Sequence, residues 1–177
     1  IGRVVYDFEN NETYAHLPGT ENDTFLYIYP DDDTRKIIDS WHPFDGPTGI
    51  AWDGQYLWIV SSPKMICKFD TSLRLIDAFP TSATSPYGLA FDGEYLWLME
   101  YFKPLVYQFD LSGKLIKSIP APREHCMGLA WDGNYFWTMS GEEAGEADYK
   151  LYKFDTSGNI AGIIQTGVPR AGSIAWD

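Results

Sequence analysis

Four short stretches of the chain alternate small with large side chains: Gly49-Ile50-Ala51-Trp52, Gly88-Leu89-Ala90-Phe91, Gly128-Leu129-Ala130-Trp131 and Ser173-Ile174-Ala175-Trp176. Alternation with a period of two puts the small residues on one face of a strand and the large ones on the other. An Asp-Gly pair follows the first three, and Asp-Gly readily takes the positive φ angles of tight hairpin turns. The chain then enters "YLWIV", "YLWLM" or "YFWTM", rich in the aromatic and β-branched residues that favour strands. A third strand-like run ends at Asp70, Asp110 and Asp155, and in two units a Ser-Gly turn comes next. A fourth, "LIDAFP", "LIKSIP" or "IAGIIQ", completes the unit. No stretch carries a helical period, so each unit reads as four short antiparallel strands, A to D in chain order.

The units repeat in register. The aspartates closing strand A are Asp53, Asp92, Asp132 and Asp177, spaced by 39, 40 and 45 residues, and the strand C aspartates keep step. A period of roughly 40–45 residues built from four antiparallel strands is that of a β-propeller blade. The fold class expected is therefore all-β, a β-propeller, with strand A innermost. Its small residues suit the axis, where neighbouring blades crowd, and its large ones would pack between blades. Blade 1 would span 45–83, blade 2 84–123 and blade 3 124–170. The first 44 residues fit B, C and D of a fourth blade whose strand A is 171–177, so that 1–177 forms one domain. Strand A at the C-terminus would pair with strand B near the N-terminus and close a four-bladed ring, leaving no open sheet edge. Two alternatives stand beside this: a piece of a larger propeller, or closure between subunits by exchange of strand A.

The motif Gly-Φ-Ala-Trp-Asp-Gly-x-Tyr-Leu-Trp, followed by Lys-Phe-Asp-x-Ser-Gly, resembles the blades of bacterial and archaeal propellers of the NHL, YVTN and glutamine-cyclotransferase-like group over about residues 44–177. The resemblance implies a propeller that is often extracytoplasmic. In the cyclotransferases a catalytic Glu follows a leucine-tyrosine pair; no segment here matches it, so no active site carries over.

Composition narrows the partners. A net charge of −12 disfavours phosphate-rich partners, which are held by Lys and Arg, so neither nucleic acid nor an anionic membrane surface is expected. No apolar run approaches the ~20 residues of a membrane helix. Cys67 and Cys126 fall on different blades and are expected to be free thiols. No Cys/His cluster has zinc spacing, and no metal or cofactor is implied. Asn11-Glu12-Thr13 and Asn22-Asp23-Thr24 are N-glycosylation sequons in one long loop. Together with a first residue that is Ile1, they point to an extracellular or cell-surface glycoprotein.

Tryptophans that recur at one blade position (Trp52, Trp131 and Trp176; Trp58, Trp97 and Trp137) read as core between blades. Function is sought instead in the loops, which vary from blade to blade. The D–A and B–C loops share one face of the disc. On it Tyr87, Tyr101, Arg123, His125 and Arg170 are the candidate ligand-binding residues. Strand B is followed by Glu9, Ser61, Glu100 and Ser140 in successive blades. In a four-bladed ring Glu9 and Glu100 would oppose each other across the axis, and with His125 they are candidate acid–base groups. The main expectation is a secreted binding or assembly scaffold that takes a protein or small-molecule ligand at the loop face. A small propeller enzyme (lyase, cyclotransferase or hydrolase) with its site at the channel mouth is the alternative, and a subunit assembling by strand exchange is another.

Overall fold

In each of the three central repeats an aspartate organises the turn between the first two strands. Asp53 Oδ1 accepts the backbone N–H of Gln55 at 2.8 Å and of Tyr56 at 2.6 Å, while Oδ2 accepts the Trp58 indole N–H at 2.7 Å. Asp92 with Trp97 and Asp132 with Trp137 repeat the arrangement at 2.6 and 2.7 Å. One carboxylate thus turns the chain and locks the ring of the next strand. The recurring Trp is required as a donor as well as an apolar body.

The structure, a computed structural model, describes residues 3–7, 12–16, 24–25, 40–41, 47–61, 64–72, 74–140, 149–167 and 174–176. Strands β1 (Arg3–Asp7) and β2 (Glu12–His16) form one hairpin, and β3 (Thr24–Phe25) pairs with β4 (Ser40–Trp41). Three four-stranded antiparallel sheets follow. The first holds β5 (Pro47–Trp52), β6 (Leu57–Ser61), β7 (Met65–Phe69) and β8 (Leu75–Pro80). The second holds β9 (Pro86–Phe91), β10 (Leu96–Glu100), β11 (Leu105–Phe109) and β12 (Leu115–Pro120). The third holds β13 (Cys126–Trp131), β14 (Phe136–Ser140), β15 (Lys150–Phe154) and β16 (Ile160–Gln165). Each is a meander in chain order, and β5, β9 and β13 lie side by side at its inner edge. These are propeller blades, as the repeat predicts.

Small residues on the inner strands serve the crowding expected of them. A Cβ on Gly88 would lie 2.6 Å from the carbonyl carbon of Gly128 and 2.7 Å from the backbone nitrogen of Leu129, so the two blades meet backbone to backbone. Large residues fill the space between blades. Trp58, Val60, Ile66 and Phe79 of the first sheet pack on Leu89, Leu96, Leu98 and Phe109 of the second. Trp97, Met99, Val106 and Ile119 of the second sheet pack on Leu129, Phe136 and Phe154 of the third. Full burial of each such side chain contributes roughly 1.5–3 kcal/mol. Cys67 and Cys126 are buried and free, and burial pushes both thiols up to about 11.

Closure of the ring is not seen among the described residues. β1 pairs with β2, inside the segment read from sequence as a B–C loop, and Ile174–Trp176 carry no strand. The Trp176 ring does stack on Trp137, 6.2 Å between centroids and 12° between planes, where the inner strand of a following blade would stand. Among the described residues the two ends of the array are correspondingly open. Leu89 on the second sheet is 2% exposed, whereas Ile50 at the same position of the first is 61% exposed. Trp52 and Trp176, read from sequence as core, are half exposed for the same reason: among the described residues no blade covers them.

Candidate functional site

The inner strands line an open cavity of about 870 Å³, formed mainly by glycine, alanine and apolar side chains of β5, β9 and β13 and by Ile174–Trp176. Each inner strand carries one extra residue near its start. Leu89 pairs with Leu98 but Pro86 with Glu100, and equivalent shifts occur in β5 and β13. Such bulges bend a strand and re-aim its side chains. In β9 the bulge falls at Tyr87 and Gly88, and Tyr87 lines the cavity at its mouth.

Around Tyr87 three loops converge. Its ring stacks on Tyr101 at 5.1 Å and 28°. Tyr101 in turn meets Phe102 and His125 edge to face, each at 5.0 Å, and Phe102 meets His125 at 5.9 Å. Backbone bonds fix the group: Tyr101 N–H donates to Ser85 O at 2.9 Å, and His125 N–H donates to Tyr101 O at 2.7 Å. His125 has φ of 57°, the left-handed region uncommon for a residue other than glycine, which marks it as held by its surroundings. Burial, followed by the neighbouring phenols Tyr87 and Tyr149, raises the Tyr101 pKa above its ordinary value. The D–A and B–C loops therefore do share a face, and Tyr87, Tyr101 and His125 form one cluster there. Phe102, 61% exposed, is the member that sequence reasoning missed. An aromatic placed in the otherwise polar loop "EYFKP" was the available signal.

Glu100, the last residue of β10 and next to Tyr101 in the chain, is wholly buried, 0% exposed. Oε2 accepts the Thr84 N–H at 2.6 Å, and Oε1 accepts the Ser85 N–H at 2.7 Å and the Thr84 hydroxyl at 3.0 Å. Both oxygens are occupied in holding the loop that leads into Tyr87. The carboxylate does not face an open axis; it positions the mouth. Arg123 Nη1 stands 3.5 Å from the Tyr152 hydroxyl, and the Arg123 carbonyl accepts the Cys126 thiol at 3.3 Å. The remaining candidates, Glu9, Arg170, Asn11 and Asn22, lie outside the described residues. Among the described residues no group of three or more His, Cys, Asp and Glu is arranged to hold a metal, and no helix is long and apolar enough to cross a membrane.

No family model matches the chain, and no curated protein matches it. Solved structures do. The chain is similar to glutaminyl cyclase of Myxococcus xanthus, with 11% identity and a TM-score of 0.60 over 98% of this chain and 79% of that one. It is similar to a chain of a nidogen/laminin complex, with 13% identity and a TM-score of 0.64 over 94% of this chain and 63% of that one. A third likeness is to hydrazine synthase of Kuenenia stuttgartiensis, with 14% identity and a TM-score of 0.55 over 86% of this chain. The chain spans only 45% of that synthase chain. At such identities the likenesses establish a propeller-like fold and carry no activity with them.

Proposed function

We propose that the chain is a propeller-type binding module whose recognition surface is the face carrying the D–A and B–C loops. The observation behind this is the aromatic cluster Tyr87, Tyr101, Phe102 and His125, drawn from β9 and two loops, fixed by backbone bonds and by Glu100, and set at the mouth of an apolar cavity. Half-exposed aromatic residues held rigid on loops are the usual anchors of recognition surfaces. One similar solved structure comes from a complex of two proteins, nidogen and laminin, which agrees with a protein partner. The alternative, an enzyme acting at the same mouth, finds less support: the acid–base candidate Glu100 is buried with both oxygens engaged. Membership of the NHL, YVTN or glutamine-cyclotransferase-like group and an extracellular setting with glycans at Asn11 and Asn22 belong to this reading. They rest on the blade motif and the two sequons.

The test is site-directed photo-crosslinking in the native setting, with the reactive group at Phe102 on the loop face or at Asn134 on the opposite turn. A defined partner should be trapped from the first position and not the second. Equal capture from both, or turnover of a substrate that is lost in Glu100→Gln with the fold intact, would refute it.

A further inference from the structure

Elsewhere in the blades, ammonium groups already cover the aromatic faces. Lys68 Nζ lies 3.9 Å from the centroid of the Tyr56 ring and 5.0 Å from that of Trp58. Lys153 Nζ lies 4.2 Å from Tyr135 and 5.0 Å from Trp137, and Lys117 Nζ lies 5.4 Å from Trp97. All fall within the ~6 Å over which a cation is attracted to a ring face. The mouth cluster departs from this pattern. Among the described residues no cation is seated over Tyr87, Tyr101 or Phe102, although Phe102 is the most exposed of the large aromatic side chains there.

The charge around the cluster points the same way. Glu100 precedes Tyr101 and bonds the loop that leads into Tyr87, yet it accepts only neutral donors and has no ion-pair partner among the described residues. A carboxylate withdrawn from water is screened far less than one in solvent. In the neighbouring loops Lys103 is exposed, and Arg123 Nη1 stands 3.5 Å from the Tyr152 hydroxyl. The chain as a whole carries −12, which draws cations to it.

We propose that the cluster of Tyr87, Tyr101, Phe102 and His125 is a site for an organic cation, an alkylated ammonium head group seated on the exposed Phe102 ring and its aromatic neighbours. The inference rests on the loop face being a binding surface and names the chemistry that surface selects. The ammonium group could belong to a free small amine or to a methylated lysine on a polypeptide; both present the same head group.

The experiment compares choline with its neutral isostere 3,3-dimethylbutan-1-ol, each titrated into the full chain and followed by calorimetry and by the ring proton resonances of the mouth aromatics. Choline should bind about tenfold more tightly than the isostere, the size expected for cation–π attraction at partly desolvated rings. Phe102→Leu, which keeps apolar bulk and removes the ring, should lower choline affinity severalfold and leave the isostere unchanged. Phe102 is exposed, so the fold should tolerate it, and an unchanged thermal midpoint confirms that. Equal affinity for the two compounds, or choline binding untouched in Phe102→Leu, would overturn the proposal. A trimethyl-lysine peptide that binds more tightly than choline would place the head group on a polypeptide, and a weaker one would favour a free amine. If choline fails while crosslinking still traps a partner from Phe102, the cation inference falls and the binding-module reading stands. If both fail, both fall.

Discussion

Replacing Gly88 by alanine tests whether the blades meet backbone to backbone. The added Cβ would stand 2.6 Å from the Gly128 carbonyl carbon and 2.7 Å from the Leu129 nitrogen. Neither is the end of a flexible side chain, so one inner strand must move away from its neighbour. Overpacking of this kind typically costs 1–3 kcal/mol, and a clash against backbone belongs at the upper end, about 3 kcal/mol. Two other glycines separate steric cost from conformational cost. Gly93→Ala meets nothing within 4 Å but must hold φ of +104°, which costs an L-residue about 1–2 kcal/mol. Gly162→Ala has neither problem, its nearest neighbour being the Lys153 Cβ at 3.9 Å, and it should be neutral or stabilising by up to ~1 kcal/mol through the unfolded chain. Urea unfolding of the three variants should therefore rank Gly162→Ala, Gly93→Ala, Gly88→Ala in falling stability. For a chain of this size the Gly88 variant should also melt roughly 6–12 °C lower. A Gly88→Ala variant within 0.5 kcal/mol of Gly162→Ala would mean that the inner strands do not approach as described.

Other consequences can be measured on the same preparation. Trp97→Phe keeps most of the apolar body but strips Asp92 of its indole donor, a bond of 2.6 Å to a charged acceptor, and should cost about 2–3 kcal/mol in denaturant unfolding, against little for Phe102→Leu. For Asp53, burial pushes the carboxyl up, but the Trp58 indole, the Tyr56 and Gln55 N–H groups and the Lys68 charge together outweigh it and hold the pKa below its usual value. Asp132 is held down in the same way, burial being outweighed by Trp137, Asn134, Tyr135 and Lys153. A depressed folded pKa contributes stability that is present above the unfolded value of ~3.9 and is lost as pH falls through the folded one. Unfolding midpoints should hold at neutral pH and drop below about pH 4, and Asp53→Asn should start lower and flatten that slope. Cys67 and Cys126, buried with thiols pushed up to about 11, should resist a thiol reagent at pH 8 in the folded chain and titrate as two groups in denaturant.

What could be read without coordinates divides by the range of the interactions. The Asp-Gly turn at Asp53 is local, bonding to Gln55 and Tyr56 two and three residues on, so its chemistry is written in the adjacent letters. The blade itself is legible because the turn recurs with the same strand pattern around it. The partnership of Asp53 with the Trp58 indole is nearly as local, five residues on, yet the recurrence of Trp58, Trp97 and Trp137 reads first as packing, since an apolar ring explains the pattern without its N–H. Glu100 shows where reading fails. Its donors, Thr84 and Ser85, lie 16 and 15 residues upstream on the loop that arrives from the preceding blade, and no periodicity links them to it. A carboxylate at a strand end therefore reads as facing solvent across the axis, when the fold turns it inward. The aromatic cluster has the same origin. Tyr87, Tyr101 and His125 could each be picked from a variable loop, but their meeting depends on a bulge in β9 and on the φ of +57° at His125, both products of how three loops pack together. In a repeat fold the scaffold is written once per blade and is easily read. The site is written only where blades depart from one another, and it takes shape only when departures from different blades are brought into contact.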